Sequence, residues 1–112
     1  MQGVQSYNTA ISRKRASVPL RYLQDKGHLK GTVLDYGCGK GADFNHLKQA
    51  GYTAEAYDPH WKPIDLTGRR FDTVLCTYVL NVVSAEAEDE ILKSIKFFLK
   101  KGGQAFIAVR RD

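Results

Sequence analysis

Cysteine is scarce in this chain, and its two copies, Cys38 and Cys76, stand far apart. That excludes a disulfide framework and leaves no Cys or His spacing suited to zinc, so no metal is expected. Both cysteines read as small packing residues. Long apolar runs are missing as well: no stretch approaches the roughly 20 residues needed to cross a bilayer, and Met1-Gln2-Gly3-Val4-Gln5 lacks the apolar centre of a signal peptide. A cytoplasmic protein is expected. Linkers, repeats and low-complexity segments are absent, so 112 residues form one domain, 1–112, large enough for a core but small for an α/β enzyme. There is no catalytic triad. Acidic residues are outnumbered, with 12 Asp and Glu against 17 Lys and Arg and a net charge of +5. The excess gathers at Arg13, Lys14, Arg15 and Arg21, at Arg69 and Arg70, and at Lys100, Lys101, Arg110 and Arg111. A basic face suits nucleic acid or another polyanion. No aromatic ladder interleaves with these charges, which leaves nucleic acid as an alternative partner.

What the chain does have is Val33-Leu34-Asp35-Tyr36-Gly37-Cys38-Gly39-Lys40-Gly41. Thr32 to Tyr36 is a short, largely apolar run of the kind that forms a central parallel strand. Gly37, Gly39 and Gly41 then allow a sharp turn and a close approach of backbone to ligand, and Ala42 to Ala50 reads as a helix whose first amides face that ligand. The next acid at a strand end is Asp58, in Thr53-Ala54-Glu55-Ala56-Tyr57-Asp58. Nucleotide-binding α/β folds place a ribose-binding carboxylate roughly 20 residues after the glycine loop. Asp58 has about that spacing; Glu55, on the same strand, alternates to the other face.

Elsewhere, Ser17 reads as an N-cap with Pro19 in the first turn, which predicts a helix over Val18 to Lys26 ended by Gly27, with Val18, Tyr22 and Leu23 as its buried stripe. Phe44, Leu47 and Ala50 form the stripe of the helix after the glycine loop. The longest helix runs from Ser84 to about Lys100, with acids first and lysines last as the helix dipole favours. Its packing face is Ile91, Leu92, Ile95, Phe98 and Leu99. Gln104 to Val109 reads as the last strand.

The dinucleotide fingerprint is G-x-G-x-x-G, whereas this chain has G-x-G-x-G with Asp35 two residues ahead of Gly37. That motif resembles the first motif of class I S-adenosylmethionine-dependent methyltransferases. The resemblance continues through Ala56-Tyr57-Asp58-Pro59-His60, through Phe71 to Val83, and through Lys101-Gly102-Gly103-Gln104-Ala105-Phe106-Ile107. It is greatest to minimal, truncated methyltransferase-like proteins of bacteria and phages. It implies an α/β, Rossmann-like three-layer sandwich with a reduced, mainly parallel sheet of about four strands in the order 2-1-3-4. The stretch between Asp58 and Phe71, with Pro59, Pro63 and Gly68, is too short for the family's third strand and its helix, and the C-terminal hairpin has no counterpart. The switch point is expected between the first two strands.

The resemblance implies an enzyme that uses S-adenosyl-L-methionine and releases S-adenosyl-L-homocysteine. Asp35 would hold the methionine amino group, Gly37, Cys38, Gly39 and Gly41 would cradle the ligand, and Asp58 would bind its ribose. Pro59 and His60, with Trp61, would bound the adenine, while Cys76 and Thr77 would line the end of the third strand. Methyl transfer needs alignment and exclusion of water more than a dedicated nucleophile. Tyr78 and Asn81, in the loop after that strand, are the candidate catalytic residues. Arg13, with Lys14 and Arg15, is placed to reach the methionine carboxylate. Asp65 has two readings, a partner for the adenine amino group or a turn residue. A small-molecule acceptor is the first expectation, because nothing like Asn-Pro-Pro-Tyr marks attack by an exocyclic amine of DNA. The competing readings are a non-catalytic binding module or subunit completed by a partner, a nucleic-acid methyltransferase, and an NAD-dependent oxidoreductase. Two open sheet edges imply a homodimer.

Overall fold

The computed structural model describes residues 16–37, 41–58, 63–77 and 84–109. These form α1 (Val18–Asp25), β1 (Val33–Tyr36), α2 (Ala42–Gln49), β2 (Ala54–Tyr57), β3 (Phe71–Thr77), α3 (Ala85–Phe98) and β4 (Leu99–Ala108). The strands make one parallel sheet in the order β2-β1-β3-β4, the expected α/β, Rossmann-like arrangement.

Central position follows from composition. Val33, Leu34, Val74 and Leu75 are 2 % exposed or less, so β1 and β3 are apolar on both faces, and each such side chain contributes about 1.5–3 kcal/mol by leaving water. β2 instead alternates, with Ala54 and Ala56 buried and Glu55 and Tyr57 half-buried, as befits an outer strand. One face of the sheet is covered by Leu20 and Leu23 of α1 with Leu47 and Phe44 of α2. The other is covered by Ile91, Ile95 and Phe98 of α3, with Ile64 and Leu66 from the connection that precedes β3. Among the described residues of that connection there is neither helix nor strand. Since α2 and α3 lie on opposite faces, the chain reverses direction at β1, and the crevice belongs to the carboxyl ends of β1 and β3 rather than of β1 and β2.

Ser17 caps α1, its hydroxyl accepting from the Leu20 amide, with Pro19 in the first turn. The buried stripe differs from expectation: Leu20 and Leu23 point inward, while Val18 is 66 % and Tyr22 57 % exposed. The cause is Asp43 on α2. One carboxylate oxygen accepts from the Ser17 amide at 2.7 Å and the other from the Ser17 hydroxyl at 2.7 Å, and this clasp, buried on both sides, sets the rotation of α1. On α2, Leu47 is buried and Phe44 half-buried, but Ala50 is exposed because the helix has ended. Leu92 is likewise exposed on α3, whose inward residues are Ile91, Ile95 and Phe98.

The last strand begins earlier than expected. α3 stops at Phe98 and Leu99 already pairs with Phe71, then the register jumps so that Thr73 pairs with Gln104. Lys100 to Gly103 bulge out between the two pairings. A Cβ on Gly103 would lie 2.9 Å from the Asp72 carbonyl oxygen and 3.0 Å from that of Lys100, so only glycine lets the strands close there.

Replacing Asp43 by Ala leaves two buried donors of Ser17 without an acceptor and is expected to destabilise the fold by about 2–3 kcal/mol. Asp43→Asn, which keeps one acceptor, should lose less. Urea unfolding followed by circular dichroism reads the difference, and equal stability of all three proteins would show that the clasp contributes nothing.

Candidate active site at the carboxyl edge of the sheet

Tyr36 and Tyr57, the last residues of β1 and β2, stand opposite each other. The pairing runs one step further: the Gly37 amide donates to the Tyr57 carbonyl at 2.6 Å. This brings Asp58, half-buried just past the carboxyl end of β2, beside the first glycine of the loop. Gly37 has φ 80° and Gly41 φ 90°, conformations costly for any other residue. Gly41 is also the N-cap of α2, so no side chain occupies the helix's first amides from that position, and the space where its Cβ would stand is open. Glycine is required here by backbone conformation and leaves room above the helix end.

Beneath this edge lie two groups of different character. On the α3 face, Tyr36 stacks obliquely with Tyr57 at 5.4 Å and with Phe98 at 6.2 Å. Burial raises the Tyr36 phenol above its ordinary range, only partly offset by its hydrogen bond with Ser94. Asp35 is buried at 3 % exposure on the middle of β1. Cys76 is 1 % exposed on β3, and burial, aided by the negative charge of Asp35, pushes its thiol up to about 12. Cys76 is therefore a neutral packing residue, in keeping with its sequence reading and without nucleophilic character. Thr77 ends β3 at the same edge, paired with Ala108.

Asp35, Gly37, Gly41, Asp58, Cys76 and Thr77 thus converge on the carboxyl edge of β1, β2 and β3. Cys38, Gly39, Pro59, His60, Trp61, Tyr78, Asn81 and Arg13 lie outside the described residues. Asp65 is a turn residue: it accepts from the Thr67 amide and hydroxyl at 2.9 and 2.6 Å, and those bonds hold its carboxyl below the usual range. Glu55 turns to the other face of β2 and pairs with Arg69 at 3.4 Å. The aromatic pair Tyr36–Tyr57 and the Ser17–Asp43 clasp were not anticipated. The first was readable, since each tyrosine directly precedes a site residue, Gly37 or Asp58; the second joins positions with no sequence pattern between them. Among the described residues no cluster of His, Cys, Asp and Glu is arranged for a metal ion, and no helix is long and apolar enough to cross a membrane.

In a Cys38→Ser background, Cys76 is expected to resist a disulfide reagent at pH 8 and to react only after urea unfolds the chain. Its raised pKa also means that stability falls as pH rises from about 9, where the unfolded thiol ionises, toward about 12, where the folded one does. Rapid labelling of the folded protein at pH 8 would contradict the buried, neutral thiol.

Comparison with known proteins fits this geometry. No curated protein matches the chain. A family model described as a methyltransferase domain matches residues 7–112, which includes the glycine loop, Asp58 and all four strands, and the chain belongs to that methyltransferase-domain family.

Proposed function

We propose that the chain is an S-adenosyl-L-methionine-dependent methyltransferase with its donor in the crevice between β1 and β3. The observation that carries this reading is the 2.6 Å bond from the Gly37 amide to the Tyr57 carbonyl, which joins the glycine turn and the Asp58 carboxylate into one cradle. The residues fit an adenosyl ligand. Asp58 offers a carboxylate to a pair of ribose hydroxyls, Gly37 and Gly41 let backbone amides approach, and the first turn of α2 favours negative charge. Asp35 serves the methionine amino group, with Arg13 for its carboxylate. Pro59 and His60 follow directly after the ribose acid and would border the adenine.

When bound, the sulfonium supplies an electrophilic methyl group. The protein's part is to align an acceptor behind it and to keep water away. Thr77 ends β3 at this edge, and Tyr78 and Asn81 follow it in sequence, so their hydroxyl and amide groups are the candidates for orienting the acceptor. The neutral Cys76 thiol competes with neither acceptor nor donor. A small-molecule acceptor remains the first reading. The buried free thiol suits a reducing compartment such as the cytoplasm.

Isothermal titration with S-adenosylhomocysteine, S-adenosylmethionine and NAD tests the cofactor. Binding of the first two without NAD is expected, and Asp58→Ala should weaken it by about 1.5–3 kcal/mol, the loss of charge-assisted hydrogen bonds, with the fold intact. Unchanged affinity in Asp58→Ala would remove the ribose role, and binding of NAD alone would overturn the cofactor. Transfer of labelled methyl to an acceptor library then separates an enzyme from a silent binding module.

The proposal extends to a two-fold dimer. Among the described residues β4 is an outer strand, with Ile107 43 % and Val109 53 % exposed, a pairing-competent apolar edge. Light scattering across a concentration series should show mass doubling, and a strict monomer at high micromolar concentration would sink the dimer while leaving the cofactor reading untouched.

A further inference from the structure

The end of the sheet opposite the crevice has a distinct character. α3 carries Glu86 and Glu88 in its first turn, at the crevice end, and Lys96 in its last, near the amino ends of the strands. There the helix turns directly into β4, and the Lys100–Gly103 bulge lies beside the start of β3, which is preceded by Arg69 and Arg70. Arg69 and Lys100 are partly neutralised, by Glu55 at 3.4 Å and by Asp72 at 3.3 Å. Asp72 is further engaged by the Thr32 amide and hydroxyl. Arg70, Lys96 and Lys101 are exposed and make no ion pair among the described residues.

At the same end of α3 stands Phe97, 56 % exposed although it is a large aromatic residue. The Arg70 guanidinium lies 4.1 Å from the centre of its ring. Such a stack presents a flat, cationic platform. β3, seven residues long, separates this pole from the crevice by roughly 20 Å, so the pole does not belong to the cofactor site.

We propose that this pole binds single-stranded nucleic acid, with Arg70, Lys96 and Lys101 tracking phosphates and a base extending the Phe97–Arg70 stack. Phosphate charge complements the uncompensated cations, and the exposed ring supplies the sequence-tolerant stacking that distinguishes a nucleic-acid strand from an acidic peptide or a sulfated sugar. Duplex DNA offers no free base face and suits the platform less. The inference stands independently of the methyl-donor reading, because none of its residues lies at the carboxyl edge.

Fluorescence anisotropy with a labelled oligouridylate of about twelve nucleotides, between 50 and 200 mM salt, tests it. Three phosphate contacts predict a slope of log K against log salt near −2, and Lys101→Gln should reduce that slope by about 0.7. Phe97→Ala should weaken binding roughly tenfold without changing the slope, with circular dichroism confirming the fold. Saturating S-adenosylhomocysteine and the Asp58→Ala substitution should leave the affinity as it is. No binding at 50 mM salt, an unaffected Phe97→Ala variant, or a heparin fragment binding as tightly as the oligonucleotide would each overturn the proposal. Loss of oligonucleotide binding in Asp58→Ala would move the interaction to the crevice and overturn it as well.

Discussion

The parallel register between β1 and β2 is the constraint on which the site depends, because it continues past Tyr36 and Tyr57 into the bond from the Gly37 amide to the Tyr57 carbonyl. A slip of one residue would turn Ala54 and Ala56 outward and carry Asp58 to the wrong face. What holds the register is the Ala-Glu-Ala-Tyr alternation of β2. Its small residues face inward on the side that α2 covers, while Glu55 and Tyr57 occupy the opposite side. The geometry of the glycine cradle thus depends on two alanines as much as on the glycines.

Three carboxylates near this edge have separate tasks, set by their surroundings. Asp43 spends both oxygens on Ser17 and fixes α1 against α2, so it serves packing. Asp35 lies deep on β1, where its charge helps keep the Cys76 thiol protonated. Asp58 stands just past the end of β2, following the Tyr57 carbonyl that accepts from the Gly37 amide. A reaction that needs alignment more than a nucleophile is compatible with this division, since the Cys76 thiol buried at this edge is held neutral.

Much of the fold was legible because it is written locally. The strand from Val33, the helix from Ala42 to Gln49, the acid at the end of β2, the Ser17 cap and the start of the longest helix at Ser84 follow from short-range pattern, whereas the strand order was implied by the family resemblance. The misread stripes of α1 and α3 share one cause, which is that the rotation of a helix is a tertiary property. Val18 and Tyr22 fit a buried stripe as well as Leu20 and Leu23 do, and only the clasp to Asp43 decides between them. Leu92 and Ala50 misled for similar reasons, one lying off the packed face and the other just past a helix end. Of the candidate site, the residues on strand ends were legible through alternation and spacing. Asp65 was not settled that way, because an Asp two residues before a Thr can serve a turn or a ligand until its hydrogen bonds are seen.

The same distinction explains why Arg69, Arg70, Lys100 and Lys101 were legible as basic clusters suited to a polyanion while the Phe97–Arg70 stack was not, since nothing in the order of these residues marks that contact. A parallel sheet obliges α3 to return to the amino end of β3 before β4 can begin, and here it does so with no intervening loop, Phe98 ending the helix and Leu99 opening the strand. The closeness of the turn requires the absent Cβ of Gly103 against the backbone of Phe71 and Asp72. It also displaces Lys100 and Lys101 outward beside the arginines that precede β3. Phe97, one residue before the helix ends, is carried to the same place and lies against Arg70. Like charges so gathered repel one another, and Glu55 and Asp72 relieve only part of that repulsion; an anion bound there would relieve the rest.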